Sequence, residues 1–273
     1  MAGTGVFSPG RAQIAARTLR RDRWWLQPLI TVVVLLSFSV YATIRAFSNT
    51  AYVQEKSHLL SPFYSPCLTD KCKPGSADFG TIGNWWPVAP AVLVLVVPLG
   101  FRFTCYYYRK AYYRSFWQSP PACAVAEPHA KYTGETRFPL IGQNVHRYFF
   151  YLGLGLNVIL TWDAIHSFKQ EAGLAHAHGG AGWGHMGLGS LILTANACLL
   201  WAYSMSCHSC RHAMGGRLNH FSKHPIRYWA WTQVSKLNTR HMQIAWVSLF
   251  GVALTDLYVS LVASGHFADP RFF

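Results

Sequence analysis

The sequence is short of charge, and of acidic charge above all. Charged residues make up 12% of its 273 residues, and Asp plus Glu number 10 against 24 Lys plus Arg. Soluble domains average about 25% charged residues, so this composition argues against an ordinary soluble protein. No internal repeat and no low-complexity segment stands out in the sequence, which indicates a single domain.

Apolar and aromatic residues take the place of the missing charge. Hydrophobic residues make up 51% of the chain and aromatic residues 15%, with 11 Trp. Such a composition fits a membrane protein that anchors aromatic side chains at two membrane–water interfaces. The net charge of +14 would also suit nucleic-acid binding. However, the basic residues are concentrated in particular loops, which is typical of membrane topology, and we expect no nucleic-acid partner.

Five apolar runs are long enough to cross a bilayer as helices, which needs about 20 residues. The predicted fold is an all-α integral membrane bundle of five transmembrane helices within residues 24–268, with Pro98 expected to kink the second. The first run is interpreted as an uncleaved anchor, because Ser39–Ala42 is a weak signal-peptide cleavage site. The predicted helices cover about 24–47, 85–108, 144–168, 183–207 and 241–264, between a basic tail (1–23) and an outer tail (269–273).

Lys and Arg are concentrated in the N-terminal tail and in the second and fourth loops. Under the positive-inside rule the N-terminus is cytoplasmic and the C-terminus lies outside. Cys67 and Cys72 then lie outside, where we expect a disulfide. Cys207 and Cys210 lie on the reducing side, where metal binding or redox use is expected instead of a structural bridge.

The segment Ser-Cys-His-Ser-Cys-Arg-His, residues 206–212, contains two cysteines and two histidines where the fourth span ends. At helical spacing, Cys207 and Cys210 share one stripe with polar residues that should face the bundle interior. If the helix continues past Ser206, His208 and His212 point away from the thiols. The two histidines become ligand candidates only if the helix unwinds there.

Two further histidines, His146 and His241, are predicted at the cytoplasmic ends of inward-facing stripes. Two Cys and two His at one depth form the ligand set of a Rieske-type two-iron cluster. Interfacial histidines, inert buried thiols and a structural zinc site are the alternatives. His166 and His185, on the outer side, are candidate axial ligands of a haem. His146 and His241, at the cytoplasmic ends, are a second candidate pair for a haem. Asp163 and Asp256, both in outer halves of helices, are left open between a proton relay and hydrogen-bonded acids.

With its five spans, its long outer loop and the segment Ser206–His212, the chain resembles the single-chain, five-helix membrane anchor of actinobacterial succinate dehydrogenase (respiratory complex II). The resemblance implies a multi-pass protein of the bacterial plasma membrane that passes electrons to menaquinone or another quinone. Its partners would be a flavoprotein that oxidises succinate and an iron–sulfur subunit, and a higher oligomer of the complex is left open. No catalysis is expected from the isolated chain.

In the related two-haem anchors, axial histidines come partly from the first two helices, whereas the first two spans of this chain contain no histidine. The resemblance therefore favours the branch with a two-iron, two-sulfur Rieske-type cluster. Cys207 and Cys210 map to its cysteines, and His146 and His241 are preferred over His208 and His212. The alternatives are the same anchor with haem b, and a five-span transporter with a cytoplasmic metal or redox-sensing site. The candidate quinone-binding residues are Trp229, Trp231, Arg240 and Arg147.

Overall fold

The computed structural model describes residues 22–79, 83–123, 125, 128, 138–169 and 183–272, without the side chains of 138–144. Most of the predicted basic tail (1–23) and of the third loop lies outside these residues. The described part is helical, apart from a small hairpin of β1 (Val53–Gln54) and β2 (Leu59–Leu60) around a 3₁₀ turn (Glu55–Ser57). Its helices are α1 (Leu26–Ser48), α2 (Pro90–Phe103), α3 (Tyr106–Phe116), α4 (Phe138–His166), α5 (Leu188–Met205), α6 (His208–Gly215), α7 (Pro225–Asn238) and α8 (His241–Ala263).

Among the described residues, four helices are long and apolar enough to cross a membrane: α1, the Val145–His166 part of α4, α5 and α8. The remaining predicted span, 85–108, corresponds to α2 and α3, which qualify together only as a bent pair. The break lies at Thr104 and Cys105, beyond Pro98, which lies inside α2. Since α3 contains Arg109, Lys110 and Arg114, its composition suits an interface better than hydrocarbon.

The chain divides into two compact units. The first comprises the described residues up to Tyr41 together with Arg102–His146, and the second comprises Ala42–Phe101 and Arg147 onward. Within the first unit, Arg102 Nη1 donates a hydrogen bond to the Tyr108 hydroxyl at 2.7 Å. This bond connects the end of α2 with α3.

The core of the second unit is built on α5 and α8, which pack closely against each other. Gly189 of α5 allows the loop side chain of Leu59 to approach the helix, because a Cβ at Gly189 would overlap Leu59. Burying these apolar groups stabilises the unit at about 25 cal/mol per Å² of apolar surface. The buried apolar residues of this core are Leu59, Ala164, Leu193, Ala197, Val259 and Val262.

The long loop after α1 is not simply a solvated connection. Each residue from Leu59 to Cys67, here called the inserted segment, is buried. Its Ser61 hydroxyl donates to Asp256 of α8, and its Ser65 hydroxyl donates to Asp163 of α4. The segment thus gives a hydrogen-bond partner to each of the two carboxylates whose role the sequence left open.

A disulfide joins Cys67, the last residue of the inserted segment, to Cys72, with the Cα atoms 6.0 Å apart. The C-terminal residues are also held: Leu188 N–H donates to the Pro270 carbonyl and Phe272 N–H to the Met186 carbonyl, both at 2.9 Å. The predicted outer tail therefore packs against the start of α5.

Candidate functional site

The two cysteines of the 206–212 segment lie where one helix stops and the next begins. α5 ends at Met205 and α6 starts at His208, so the helix does not continue through Ser206. Cys207 is the N-cap of α6, and its Sγ accepts the Ser209 N–H at 3.4 Å. The exposed fractions of Cys207 and Cys210 are 1% and 2%. The break thus leaves both thiols buried.

Burial also sets the proton affinity of the groups on α6. The pKa of the Cys210 thiol is raised by desolvation, which favours the protonated form when no cation is near. The pKa of His208 is lowered by desolvation and then by the positive charges of His212 and Arg211. The charged forms of both the Cys210 thiol and the His208 imidazole are thus disfavoured on this short helix.

The histidines of α6 are on its exposed side. His208 and His212 are both exposed, and their rings contact each other with centroids 5.0 Å apart. Although the helix is interrupted at Ser206, α6 restarts at once and keeps thiols and imidazoles apart. The interruption does not turn these two histidines toward the buried cysteines.

His241, the first residue of α8, is 2% exposed and contacts both Tyr203 and Ser206. Its ring stacks on Tyr203 with centroids 5.1 Å apart and planes inclined by 7°. Its Nδ1 lies 2.7 Å from the Ser206 hydroxyl, which belongs to the residue directly before Cys207. This contact fixes His241 beside the turn that positions the first thiol.

His146, in α4, belongs to the first unit and is 8% exposed. Its Nδ1 lies 2.7 Å from the Thr104 hydroxyl, in the break between α2 and α3. Ligating histidines in proteins nearly always bind a partner through the second ring nitrogen. His146 and His241 both have their Nδ1 atoms engaged in this way by a hydroxyl.

Across the residues that the structure describes, no three His, Cys, Asp or Glu side chains gather as they would around a bound metal. The chemistry of the donors nevertheless fits a two-iron cluster, since two buried thiols and two buried imidazoles are the soft and borderline ligands that iron takes. The fit thus lies in the nature of the donors and not in a preassembled cage.

The four candidate quinone-binding residues lie in different settings. Trp231 of α7 packs against α6: a Cβ on Gly215 would overlap its ring, and the Arg211 guanidinium lies over the ring at 5.5 Å. Trp229 is 64% exposed, Arg240 is exposed, and Arg147 is exposed beside the Tyr148 ring at 5.9 Å. Packing therefore accounts for Trp231, while the other three remain accessible.

A cavity of about 260 Å³ lies elsewhere, lined by apolar residues of the long loop, α2 and α4. Its walls carry almost no polar surface, so it lacks the hydrogen-bond donors that would orient a quinone ring. Its lining residues include Pro66, Leu68, Trp85, Leu93, Val97 and Leu156.

The candidate haem histidines near the long loop also have other contacts. Nε2 of His166 lies 2.9 Å from the Lys169 ammonium, and its ring meets Trp162 with centroids 4.5 Å apart. His185 is 6% exposed and precedes α5. The Nε2 of His166 is therefore already occupied by a local hydrogen bond.

Two residues of the site escaped sequence reasoning, Ser206 and Thr104. No spacing rule connects Ser206 with His241, which is 35 residues away. The one available signal was that Ser206 directly precedes the first cysteine. Thr104 gave no signal, because the helix break that exposes its hydroxyl to His146 was not predicted.

Comparison with known proteins gives two matches. The family model described as actinobacterial succinate dehydrogenase subunit SdhC matches residues 26–265. A chain in the solved structure of the Mycobacterium smegmatis Sdh1 complex in the apo form is 57% identical, with 99% of each chain covered and a TM-score of 0.86. No curated protein matches. The range matched by the family model contains the positions of the Cys207–Cys210 turn, His146 and His241.

Proposed function

Since the chain belongs to the SdhC family of actinobacterial succinate dehydrogenase subunits, we propose that it passes electrons through a Rieske-type two-iron cluster to a membrane quinone. As a subunit of this complex, it is a multi-pass anchor in the bacterial plasma membrane, and its partners are the flavoprotein and iron–sulfur subunits. The family assignment leaves no reason to propose a transporter.

The proposed orientation has five spans, with the second formed by the apolar run that ends in α2 and with the basic helix α3 at the interface that follows it. The N-terminus is cytoplasmic and the C-terminus outside, as the distribution of Lys and Arg indicates. In this orientation the Cys207–Cys210 turn faces the cytoplasm, together with the basic loops before and after it. Their positive charge suits an acidic face of the soluble iron–sulfur partner.

The observation that carries the cluster proposal is the contrast between two pairs of histidines. His241 and His146 are buried with Nδ1 hydrogen-bonded to a hydroxyl, whereas His208 and His212 are exposed. Cys207, Cys210 and His241 come from adjoining turns of the second unit. His146 is proposed as the fourth ligand because the sequence places it at the cytoplasmic end of an inward-facing helix stripe.

A bound cluster of this type supplies one-electron transfer. Imidazole donors, being neutral, lessen the negative charge that the buried site must hold, which two further thiolates would increase. The buried thiols of Cys207 and Cys210 must lose their protons to bind iron, and the Ser209 N–H already donates to Cys207 Sγ. Burial at 1–2% exposure keeps water from the donors.

The quinone is proposed to bind next to this turn. Arg240 directly precedes His241, so a quinone held by its guanidinium would lie close to the proposed ligand. The exposed indole of Trp229 offers an aromatic wall, and Arg147 directly follows His146. Trp231, the fourth candidate, is proposed to support this surface through α6 and α7.

Electron paramagnetic resonance of the purified succinate dehydrogenase complex, combined with iron analysis, tests the proposal. The anchor should add two iron atoms per chain and a histidine-ligated two-iron signal. His241→Ala and His146→Ala should abolish that signal, while His208→Ala and His212→Ala, as matched controls, should keep it. A sharp reduced-haem absorption band in place of the signal would instead establish the haem b alternative.

A further inference from the structure

The apolar cavity of about 260 Å³ lies wholly within the second unit. Its walls include Leu93 and Val97, one helical turn apart on α2, and Leu156 of α4. Gly83 lets the long loop close against α2, because a Cβ there would come within 2.7 Å of Leu93 Cδ2. A space with apolar walls does not hold water, which needs polar partners. The group that fills it must therefore be apolar.

The cavity is partly open, and the side chains beside it belong to a surface that faces lipid. Trp85, which lines it, is 72% exposed, and Val96, the neighbour of Val97 on α2, is 53% exposed. An exposed tryptophan before a span is typical of the membrane–water interface, and an exposed valine within a span is typical of contact with acyl chains. The cavity thus lies where the interface passes into hydrocarbon.

Lys71 places a positive charge beside this cavity. Its Nζ donates hydrogen bonds to the carbonyls of Trp86 and Pro87, at 3.3 and 2.8 Å, and these two residues directly follow Trp85. An ammonium can donate three hydrogen bonds. Within the described part of the chain two of them go to these carbonyls, so one proton is left for an acceptor outside the chain.

We propose that the cavity binds one acyl chain of an anionic phospholipid whose phosphate lies at the Lys71 ammonium. The Cys67–Cys72 disulfide favours this arrangement, because the short ring that it closes contains both Lys71 and the lining residue Leu68. The isoprenoid tail of a quinone would also fill an apolar space, but the quinone head has no charge for Lys71 to attract. An anionic headgroup also lacks the amine that this ammonium would repel.

The proposal requires only that the chain is a membrane subunit, and it does not depend on the cluster or on the quinone site. In the orientation proposed above, the bound lipid belongs to the outer leaflet. It would be a lipid held at a fixed place by packing and charge, unlike the bulk lipid around the exposed helix faces.

Photo-crosslinking tests the proposal on the complete complex, placed in phosphatidylcholine vesicles that contain a small share of phosphatidylglycerol with a diazirine on one acyl chain. The same diazirine on phosphatidylcholine, at the same share, measures unselective contact with bulk lipid. In the wild type, phosphatidylglycerol should label the peptides containing Val97 and Leu156 about fivefold more than phosphatidylcholine does, as one lysine near a lipid phosphate allows.

Variants separate the chain from the headgroup. Val97→Phe and Leu156→Phe fill the cavity from two different helices and should remove the excess labelling, whereas Val96→Phe, on the exposed face of α2, is their matched control and should keep it. Lys71→Ala should bring the labelling by the two lipids to the same level. The exposed Lys56→Ala, on the same loop, should leave the excess unchanged.

Equal labelling by the two lipids in the wild type would overturn the proposal, and so would an excess that persists in Lys71→Ala. Equal yields in Val97→Phe and Val96→Phe would place the acyl chain on the outer surface of the helices instead of in the cavity. If the two cavity-filling variants do not assemble, the exposed Lys71→Ala still decides the question. A second subunit that covered the cavity would abolish the excess already in the wild type and would refute the proposal.

Discussion

Arg45 and Asp256 form a buried, bidentate ion pair between residues 211 positions apart in the chain. Arg45 Nε lies 2.7 Å from Asp256 Oδ2, and Nη2 lies 3.2 Å from Oδ1. The guanidinium also donates to the carbonyls of Thr50 and Ala51, each at 3.2 Å, and to the Ser48 hydroxyl at 3.5 Å. The charge at the end of α1 is therefore matched by the carboxylate of α8 and by the loop between them.

Breaking this ion pair should be costly. Asp256→Asn leaves the Arg45 charge buried without its counterion, and we expect a loss of about 3–5 kcal/mol in the free energy of unfolding. Denaturant unfolding of the detergent-solubilised complex measures this loss. The double variant Arg45→Met, Asp256→Leu should recover most of it, and the exposed Arg240→Met should cost little. A single variant as stable as the double one would contradict the ion-pair account.

The proposed topology predicts how two cysteines react with a membrane-impermeant maleimide in intact cells. A cysteine introduced at the exposed Ala268, after α8, should be labelled directly. The native exposed Cys123, in the loop after α3, should be labelled only after lysis. The comparison is made in one strain, with Cys123→Ser as the blank. Labelling of Cys123 before lysis would reverse the proposed orientation.

Asp269 caps the N-terminus of α5 although it follows Gly189 by 80 residues in the chain. Its Oδ1 accepts the Gly189 N–H at 2.8 Å and the Tyr258 hydroxyl proton. Because a carboxylate at a helix N-terminus satisfies an unpaired N–H and opposes the helix dipole, Asp269→Ala should cost about 1–2 kcal/mol. Hydrogen exchange of the first amides of α5 should accelerate. The exposed Arg271→Ala should leave these amides protected, and equal exchange in both variants would rule out the cap.

Two glycines should respond in opposite ways to the same substitution. Gly215→Ala places a methyl group against Trp231, and such overpacking typically costs about 1–3 kcal/mol. Gly155→Ala, inside α4, meets no atom within 4 Å and should gain up to about 1 kcal/mol from helix propensity. Thermal midpoints of the two complexes give the comparison. If the thermal midpoints of both variants shift by the same amount, the close approach of Trp231 to Gly215 does not explain the loss of stability.

The apolar helices followed from the sequence because each is specified locally by a long, mostly apolar run. The span predicted at 241–264 is observed as His241–Ala263, and the first, predicted at 24–47, as Leu26–Ser48. The helices α6 and α7 were missed, since short polar helices in a basic loop depend on packing such as Gly215 against Trp231. The break after α2 was missed for a similar reason, as no Pro or Gly marks Thr104 or Cys105.

For the candidate site, helical spacing predicted which residues face inward. Cys207, Cys210, His146 and His241 are all buried, as that spacing implied. Their hydrogen-bond partners could not be predicted, because Ser206 meets His241 only through tertiary packing. Arg45 as the partner of Asp256 was missed as well, although a lone Arg at a span end and a lone acid in another span are complementary charges.

The contacts of the inserted segment impose an order on biogenesis. The loop between α1 and α2 leaves the ribosome first, yet Ser61 and Arg45 find their shared partner, Asp256, only in the last helix. Until α8 has been synthesised, the nascent chain lacks the carboxylate that pairs with Arg45, and the inserted segment lacks the helix against which Ser61 is buried. In a chain that ends before α8, Arg45 therefore lacks the carboxylate that matches its charge, and Ser61 lacks the acceptor of its hydroxyl.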